Sequence, residues 1–273
     1  MLLTKGHRII AVILMFFAFF CMACSNLASR VPPGPKDLKV SFEARELLSV
    51  LENQNYKLET FKGTGRITFR EDEKNDLSAR VAWVGAVPGK LRIVLRSVSG
   101  QPMASMASDG EWVYFFSHAQ GKYFKKRAST TLLQRFLSVS ITPDDVVYIL
   151  AGRVPVNEHS FATVRTDRLD NGCILVLESA WGNAVEKIYF EDNKKDVRKV
   201  EVFDQSGALI YRVEFYGKQT INDYQIPVRL ILSDKQGSGF QLEIDRYWVD
   251  VAVSPSIFVL APPETKGADP GEK

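Results

Sequence analysis

Histidine and cysteine are scarce in this chain, with three of each among 273 residues. The histidines, His7, His118 and His159, have no metal-ligating neighbour at helical or strand spacing, and no His-Glu-x-x-His or Gly-x-Ser-x-Gly string occurs. The sequence therefore offers no constellation for zinc or serine chemistry, and it is read as non-enzymatic with no cofactor. Three cysteines cannot make the dense disulfide framework of a small secreted domain. Neither sign of charge is in excess: 35 Lys and Arg face 32 Asp and Glu. No broad cationic field is available for nucleic acid. Long apolar runs are also missing: Ile9 to Phe20 has twelve residues. That is short of the roughly 20 a membrane-spanning helix needs.

What the twelve residues do fit is the core of a secretory signal. Lys5 and Arg8 precede them and small Ala23 follows, which predicts export to a bacterial cell envelope. Without Lys5 and Arg8 the balance is 33 basic against 32 acidic residues. The string Cys21-Met22-Ala23-Cys24 resembles a bacterial lipobox, with Cys21 where Leu is usual and Met22 where a small residue is usual. The resemblance implies that Cys24 becomes the mature N-terminus, carrying acyl chains such as palmitate as thioether and amide. Three or so chains exceed the two signals needed for stable anchoring. An uncleaved N-terminal anchor and a Cys-x-x-Cys redox or zinc pair are the competing readings. Ser25 after the cysteine resembles the outer-membrane sorting pattern, giving a lipid-anchored protein of the outer membrane facing the periplasm. The chain then divides into a signal peptide (1–23), a tether (24–40) containing Pro32, Pro33, Gly34 and Pro35, a folded domain (41–262), and a Pro- and Gly-containing disordered tail (263–273).

Within the domain, periodicity predicts a helix at Ser41 to Asn53, with Ser41 as N-cap and Phe42, Leu47, Leu48 and Leu51 near one face. The period then changes to two. Gly65–Arg70, Leu77–Trp83, Leu91–Arg96 and Glu111–Phe116 read as strands, and seven more follow between Phe161 and Tyr247. Between the two sets lie Thr130 to Leu137 and a second punctuated segment from Thr142 to Gly152. In the latter, Thr142 caps, Pro143 opens, Asp144 and Asp145 complement the helix dipole, and Gly152 ends it. The expected fold is mainly β with α: a large curved antiparallel sheet, an open half-barrel of about eleven strands, with an N-terminal helix and a mid-chain helical lid covering its apolar face.

Most candidate polar sites have ordinary explanations. Gly237 to Gly239 is a hairpin turn, since no helix follows to bind phosphate. Lys125, Lys126 and Arg127 end a strand in solvent, with anionic lipid as the alternative. Cys173 alternates within a strand and reads as a buried free thiol. What stands out is apolar: Val81, Trp83, Ile93, Leu95, Leu132, Leu133, Phe136, Val146, Ile149 and Leu150 lie on the facing sides of sheet and helices. They form either a filled core or the lining of a cavity for acyl chains, and periodicity fits both.

The order of these elements resembles the LolA/LolB-like superfamily of periplasmic lipoprotein-binding proteins, and the lipobox brings it closest to the outer-membrane lipoprotein receptor LolB and its lipoprotein relatives. The strings concerned are Leu91–Leu95, Ser97–Gly100, Asp109-Gly110 before a strand, Leu132–Leu137, Ile141–Gly152 with Pro155, Tyr224–Pro227, and Trp248 with Phe258–Pro262. The resemblance implies a half-barrel whose cavity holds acyl chains, a role in receiving or localising lipoproteins, and a periplasmic carrier protein as possible partner. It also implies a protruding loop with an apolar tip, for which Val98 is the candidate. A structural lipoprotein that keeps the fold as a protein-interaction module is the alternative.

Overall fold

The computed structural model describes residues 39–70, 76–128, 130–168 and 170–262. The segment expected to be a signal peptide, Cys24 and the expected C-terminal tail lie outside the described residues. Chain order is β1 (Lys39–Val40), α1 (Phe42–Asn53), β2 (Thr60–Arg70), β3 (Asp76–Ala86), β4 (Lys90–Arg96), β5 (Pro102–Asp109), β6 (Trp112–Ser117), β7 (Lys122–Arg127), α2 (Thr130–Leu137), α3 (Pro143–Leu150), β8 (Phe161–Thr166), β9 (Cys173–Glu178), β10 (Ala184–Phe190), β11 (Val197–Phe203), β12 (Leu209–Ile221), β13 (Tyr224–Ser233) and β14 (Gly239–Val249), then a 3-10 turn at Pro255–Phe258.

All strands join one open, curved sheet, ordered β1-β8-β9-β10-β11-β12-β13-β14-β2-β3-β4-β5-β6-β7. Thirteen of them pair antiparallel; the two-residue β1 lies parallel to β8, with Lys39 opposite Phe161. The chain thus enters the sheet two residues before the end of the segment expected to be a tether. The join of β14 to β2 unites the two halves of the chain, with Leu242 opposite Ile67.

The mainly β fold with an N-terminal helix and a mid-chain helical element is as expected, with more strands than the eleven anticipated. The two extra hairpin members are β5 and β7. β5 reads PMASMASD and contains no β-branched residue, so propensity gives no strand signal there. Its place is imposed by pairing on both sides, with Met106 opposite Ile93 of β4 and Phe115 of β6.

Strand alternation decides which face is apolar. In β3, Ala79, Val81 and Trp83 are buried, and in β4 Leu91, Ile93 and Leu95. Their partners in phase, such as Arg80 opposite Arg96, lie on the other face. Two glycines make room for large rings on the apolar side. A Cβ at Gly63 would stand 2.2 Å from the Trp83 ring, and one at Gly85 would stand 2.3 Å from the Phe61 ring. Each is the direct cross-strand partner of the residue it accommodates. Phe61 in turn stacks on Tyr247 at 5.6 Å between centroids, an arrangement favoured beyond its area of burial.

Candidate functional site

Helices α2 and α3 lie against the apolar side of the sheet, and they are attached differently. α3 begins as its sequence dictates: the Thr142 hydroxyl accepts from the Asp145 N–H at 3.0 Å, and Pro143 occupies the first turn. Its C-terminal carbonyls, which no helical N–H can reach, are met by the sheet and by the turn after α1. The Tyr247 hydroxyl donates to the Leu150 carbonyl at 2.8 Å, and Asn55 Nδ2 donates to the Ala151 carbonyl at 2.9 Å. Asn55 also exchanges two bonds with the Gln225 backbone, at 2.8 and 2.9 Å. It sits at φ 52°, a left-handed conformation that Asn tolerates better than most residues. Arg153 completes the clamp by donating to the carbonyls of Asn55 and Leu58.

α2 is held by apolar contact. Leu133 and Leu137 are buried, and Phe136, half-buried, meets Phe115 edge-on at 5.3 Å. Among the described side chains, no hydrogen bond ties α2 to the sheet.

Between these helices and the sheet lies a narrow cavity with an entirely apolar lining. Eight of the ten residues singled out in the sequence line it: Val81, Trp83, Ile93, Leu95, Phe136, Val146, Ile149 and Leu150. Leu133 is fully buried in the adjoining core, and the side chain of Leu132 lies outside the described residues. The sequence reading missed the far wall, Leu230, Leu232, Phe240 and Leu242 together with Ile67, and it missed Leu137 and Ile141 on the helical side. Those strands looked like ordinary apolar strands. Only the closure of β14 onto β2 brings residues 230–242 opposite residues 81–95.

The unfilled space is about 40 Å³. Water would fit by volume, but the lining offers it no partners. Ligand pockets run to roughly 300–1,000 Å³, so a long acyl chain enters only if a wall moves.

Beside α3 the same face carries buried polar groups. Glu186 is fully buried. Its Oε2 accepts from the Asn157 backbone at 2.9 Å and from Asn157 Nδ2 at 3.1 Å, whereas Oε1 has no hydrogen-bond partner among the described residues. Burial pushes its carboxyl up to about 8, with the Asn157 bonds opposing and the nearby Asp145 carboxylate reinforcing. Asp145, in the first turn of α3, is raised in the same direction, chiefly by burial. Tyr211 stands across the cluster. It is buried too, its hydroxyl lies near Asp145 without a hydrogen bond of ordinary geometry, and its pKa is driven far upward by burial. The aspartate pair expected to do no more than complement a helix dipole is therefore split: Asp144 is exposed and Asp145 faces inward. A signal for Glu186 was present in the sequence, because the alternation that buries Ile188 and Phe190 puts Glu186 on the same side.

The remaining candidates lie elsewhere on the domain. His118 Nε2 lies 3.1 Å from the Ser105 hydroxyl, and His159 Nδ1 lies 2.9 Å from the Asn157 carbonyl. Cys173 is a buried free thiol whose pKa is raised by burial. Lys125 and Arg127 rest over the Trp112 ring at 4.6 and 5.3 Å. Val98, 67% exposed, projects from the β4–β5 turn, which is closed by Ser97 N–H to Gln101 O and Gly100 N–H to Ser97 O, both at 2.8 Å. Among the described residues no cluster of His, Cys, Asp or Glu could hold a metal ion, and no helix is long and apolar enough to cross a membrane.

No family model and no curated protein matches this sequence. Solved structures do share its fold. A LolA superfamily protein from Nitrosomonas europaea superposes with a TM-score of 0.56 at 14% identity, covering 80% of this chain and 97% of that one. A DUF1329 family protein from Desulfovibrio piger gives 0.54 at 9% identity over 80% and 94% of the two chains. A domain named for outer membrane lipoprotein sorting, from Vibrio parahaemolyticus, gives 0.50 at 12% identity over 79% and 94%. At these identities the likeness establishes the fold, which is that of LolA-like proteins.

Proposed function

We propose that this protein is a non-enzymatic lipoprotein of the bacterial envelope, anchored through Cys24 in the outer membrane, that takes acyl chains into the cavity beneath α2 and α3. In this reading it receives or localises lipoproteins handed over by a periplasmic carrier, as the receptor branch of the LolA/LolB-like superfamily does, and Val98 is the apolar tip of its protruding loop. The observation that carries the proposal is the fully apolar lining shared by sheet and helices, closed on one side by a helix whose described side chains meet the sheet through apolar contact. Chain capture follows from burial of methylene groups at roughly 0.8 kcal/mol each, offset by the cost of moving α2 outward. The LolA-like fold of solved neighbours, one of them named for lipoprotein sorting, supports the same reading.

The test is titration of the mature protein with a fluorescent long-chain acyl probe. Saturable binding is expected, weakened at least tenfold when Ile93 is changed to Asp in protein that keeps its native circular dichroism, and unchanged by Val98→Ser. Absence of saturable binding would sink the proposal. The alternative, a fold kept for protein interaction, would then be favoured, with the cavity serving as plain core.

A further inference from the structure

Four hairpin turns on one rim of the sheet are built alike. In each, an N–H of the fourth residue, a glycine, donates to the carbonyl of the first, and the first N–H donates to the fifth carbonyl: Ser97–Gln101, Ser179–Asn183, Asp204–Ala208 and Asp234–Ser238. The glycines all have positive φ, from 82° at Gly182 to 89° at Gly100, the left-handed place this turn requires. Because the scaffold is constant, the tip residues are the variable part. Asp204 and Asp234 cap their turns with side-chain oxygens and present polar tips. The β9–β10 turn instead presents Trp181, 70% exposed, in a segment, Ser179–Asn183, that contains no charged residue. Asn183 Nδ2 donates to the Gln205 carbonyl of the neighbouring turn at 3.1 Å, so the tip is braced.

The rim is also where the chain enters. Lys39 pairs with Phe161, Phe161 pairs with Glu178, and Trp181 lies three residues further along the chain. Two strand spacings of roughly 4.8 Å separate the entry point from the base of the Trp181 hairpin. β1 runs parallel to β8, away from this rim, so Lys39, its first residue, lies at the rim end of the strand. Cys24 precedes Lys39 by fifteen residues, which span at most roughly 50 Å. The opposite rim differs: its β10–β11 turn carries Glu191, Asp192, Lys194, Lys195 and Asp196.

We infer that the Trp181 hairpin is a membrane contact, an indole placed at the headgroup level of the bilayer that turns the entry corner of the domain toward the lipid surface. The inference rests on the reading of Cys24 as a lipid anchor. An indole has a broad apolar body and one polar N–H, the combination that settles at membrane interfaces. Its position beside the tether's entry means that anchoring itself brings it to the lipid. Asp204, Asp234 and Lys235 make the neighbouring turns polar, and Val98, the other apolar tip on this rim, sits on the β4–β5 turn, separated from β10 by six strands in the sheet order.

The test uses the full chain purified with its anchor and incorporated into phosphatidylethanolamine–phosphatidylglycerol vesicles, with an environment-sensitive dye on Ala180→Cys or, in a separate protein, on Lys195→Cys. Cys173 is buried and escapes labelling. Vesicle incorporation should blue-shift the dye at position 180 and leave that at 195 unchanged, and adding Trp181→Ser should abolish the shift. If the protein floats with vesicles and neither dye shifts, or both shift, the Trp181 contact is refuted while the anchor stands. If the mass of the N-terminal peptide shows Cys24 unacylated, the anchor fails and the contact with it. A shift that appears only on adding envelope proteins would assign the corner to a protein partner, which also overturns the inference.

Discussion

Helices α2 and α3 cover the same sheet, have the same length of eight residues, and are attached by opposite means. α3 is held at both ends by polar groups: its first turn by the Thr142 hydroxyl, which accepts from the Asp145 N–H, and its Leu150 and Ala151 carbonyls by Tyr247 and Asn55. Among its described side chains, α2 rests on Leu133, Phe136 and Leu137. The difference matters because the two attachments respond differently to an apolar guest. Hydrogen bonds in a dry site are directional and costly to leave unmade, so α3 is a fixed wall. Apolar contacts are non-directional and are replaced in kind by an acyl chain, so α2 can trade its contacts with the sheet for contacts with lipid. A cavity too small for its proposed guest and a helix free to be exchanged are two aspects of one arrangement.

The largest effect that probes this contrast comes from pH. Glu186 binds its proton up to about pH 8 in the folded protein, against an ordinary carboxyl value of 4.5. Below pH 4.5 both folded and unfolded states hold that proton, and stability does not depend on the group. Between the two values only the folded state holds it, so stability falls as pH rises, by at most about 1.4 kcal/mol per pH unit and roughly 3–4 kcal/mol from pH 5 to 8. Asp145, raised in the same direction, adds to the slope. Denaturant unfolding at pH 5, 6, 7 and 8 should show this decline in the parent protein and a much flatter profile in Glu186→Gln. Identical slopes would mean that the cluster does not bear on the α3 wall.

A smaller loss is expected from the other end of α3. Asn55→Ala leaves the Ala151 carbonyl and the Gln225 N–H and carbonyl without these partners and puts Ala in a left-handed conformation. It should cost about 2–4 kcal/mol of stability. Phe136→Ala on α2, at a half-buried position, should cost less and should quicken uptake of an acyl probe. If Phe136→Ala proved the more damaging of the two, the assignment of fixed wall and movable lid would be reversed.

Much of this was legible in the amino-acid order. The caps Ser41 and Thr142, Pro143, and the alternation through Val81, Trp83, Ile93 and Leu95 each depend on neighbours within a few residues, and short-range chemistry reads directly from sequence. β5 was not legible, because small residues such as Ala104 and Ala107 become a strand only when β4 and β6 pair on either side. The wall formed by Leu230, Leu232, Phe240 and Leu242 depends on β14 meeting β2, a contact between residues some 170 positions apart. Glu186 was legible in phase but not in consequence, since its partners, Asn157 and Asp145, come from a loop and a helix that the strand pattern does not mention.

Hydrogen exchange read by mass spectrometry, with and without a saturating long-chain acyl probe, tests the lid most directly. Two or three extra hydrogen bonds at about 1 kcal/mol each predict α3 amides exchanging roughly 30–150-fold more slowly than those of α2 in the free protein. Bound probe should slow exchange in Thr130–Leu137 and leave Pro143–Leu150 nearly unchanged. Equal protection of both helices in the free protein, or no change in α2 when the probe is bound, would contradict a movable α2 over an acyl-binding cavity.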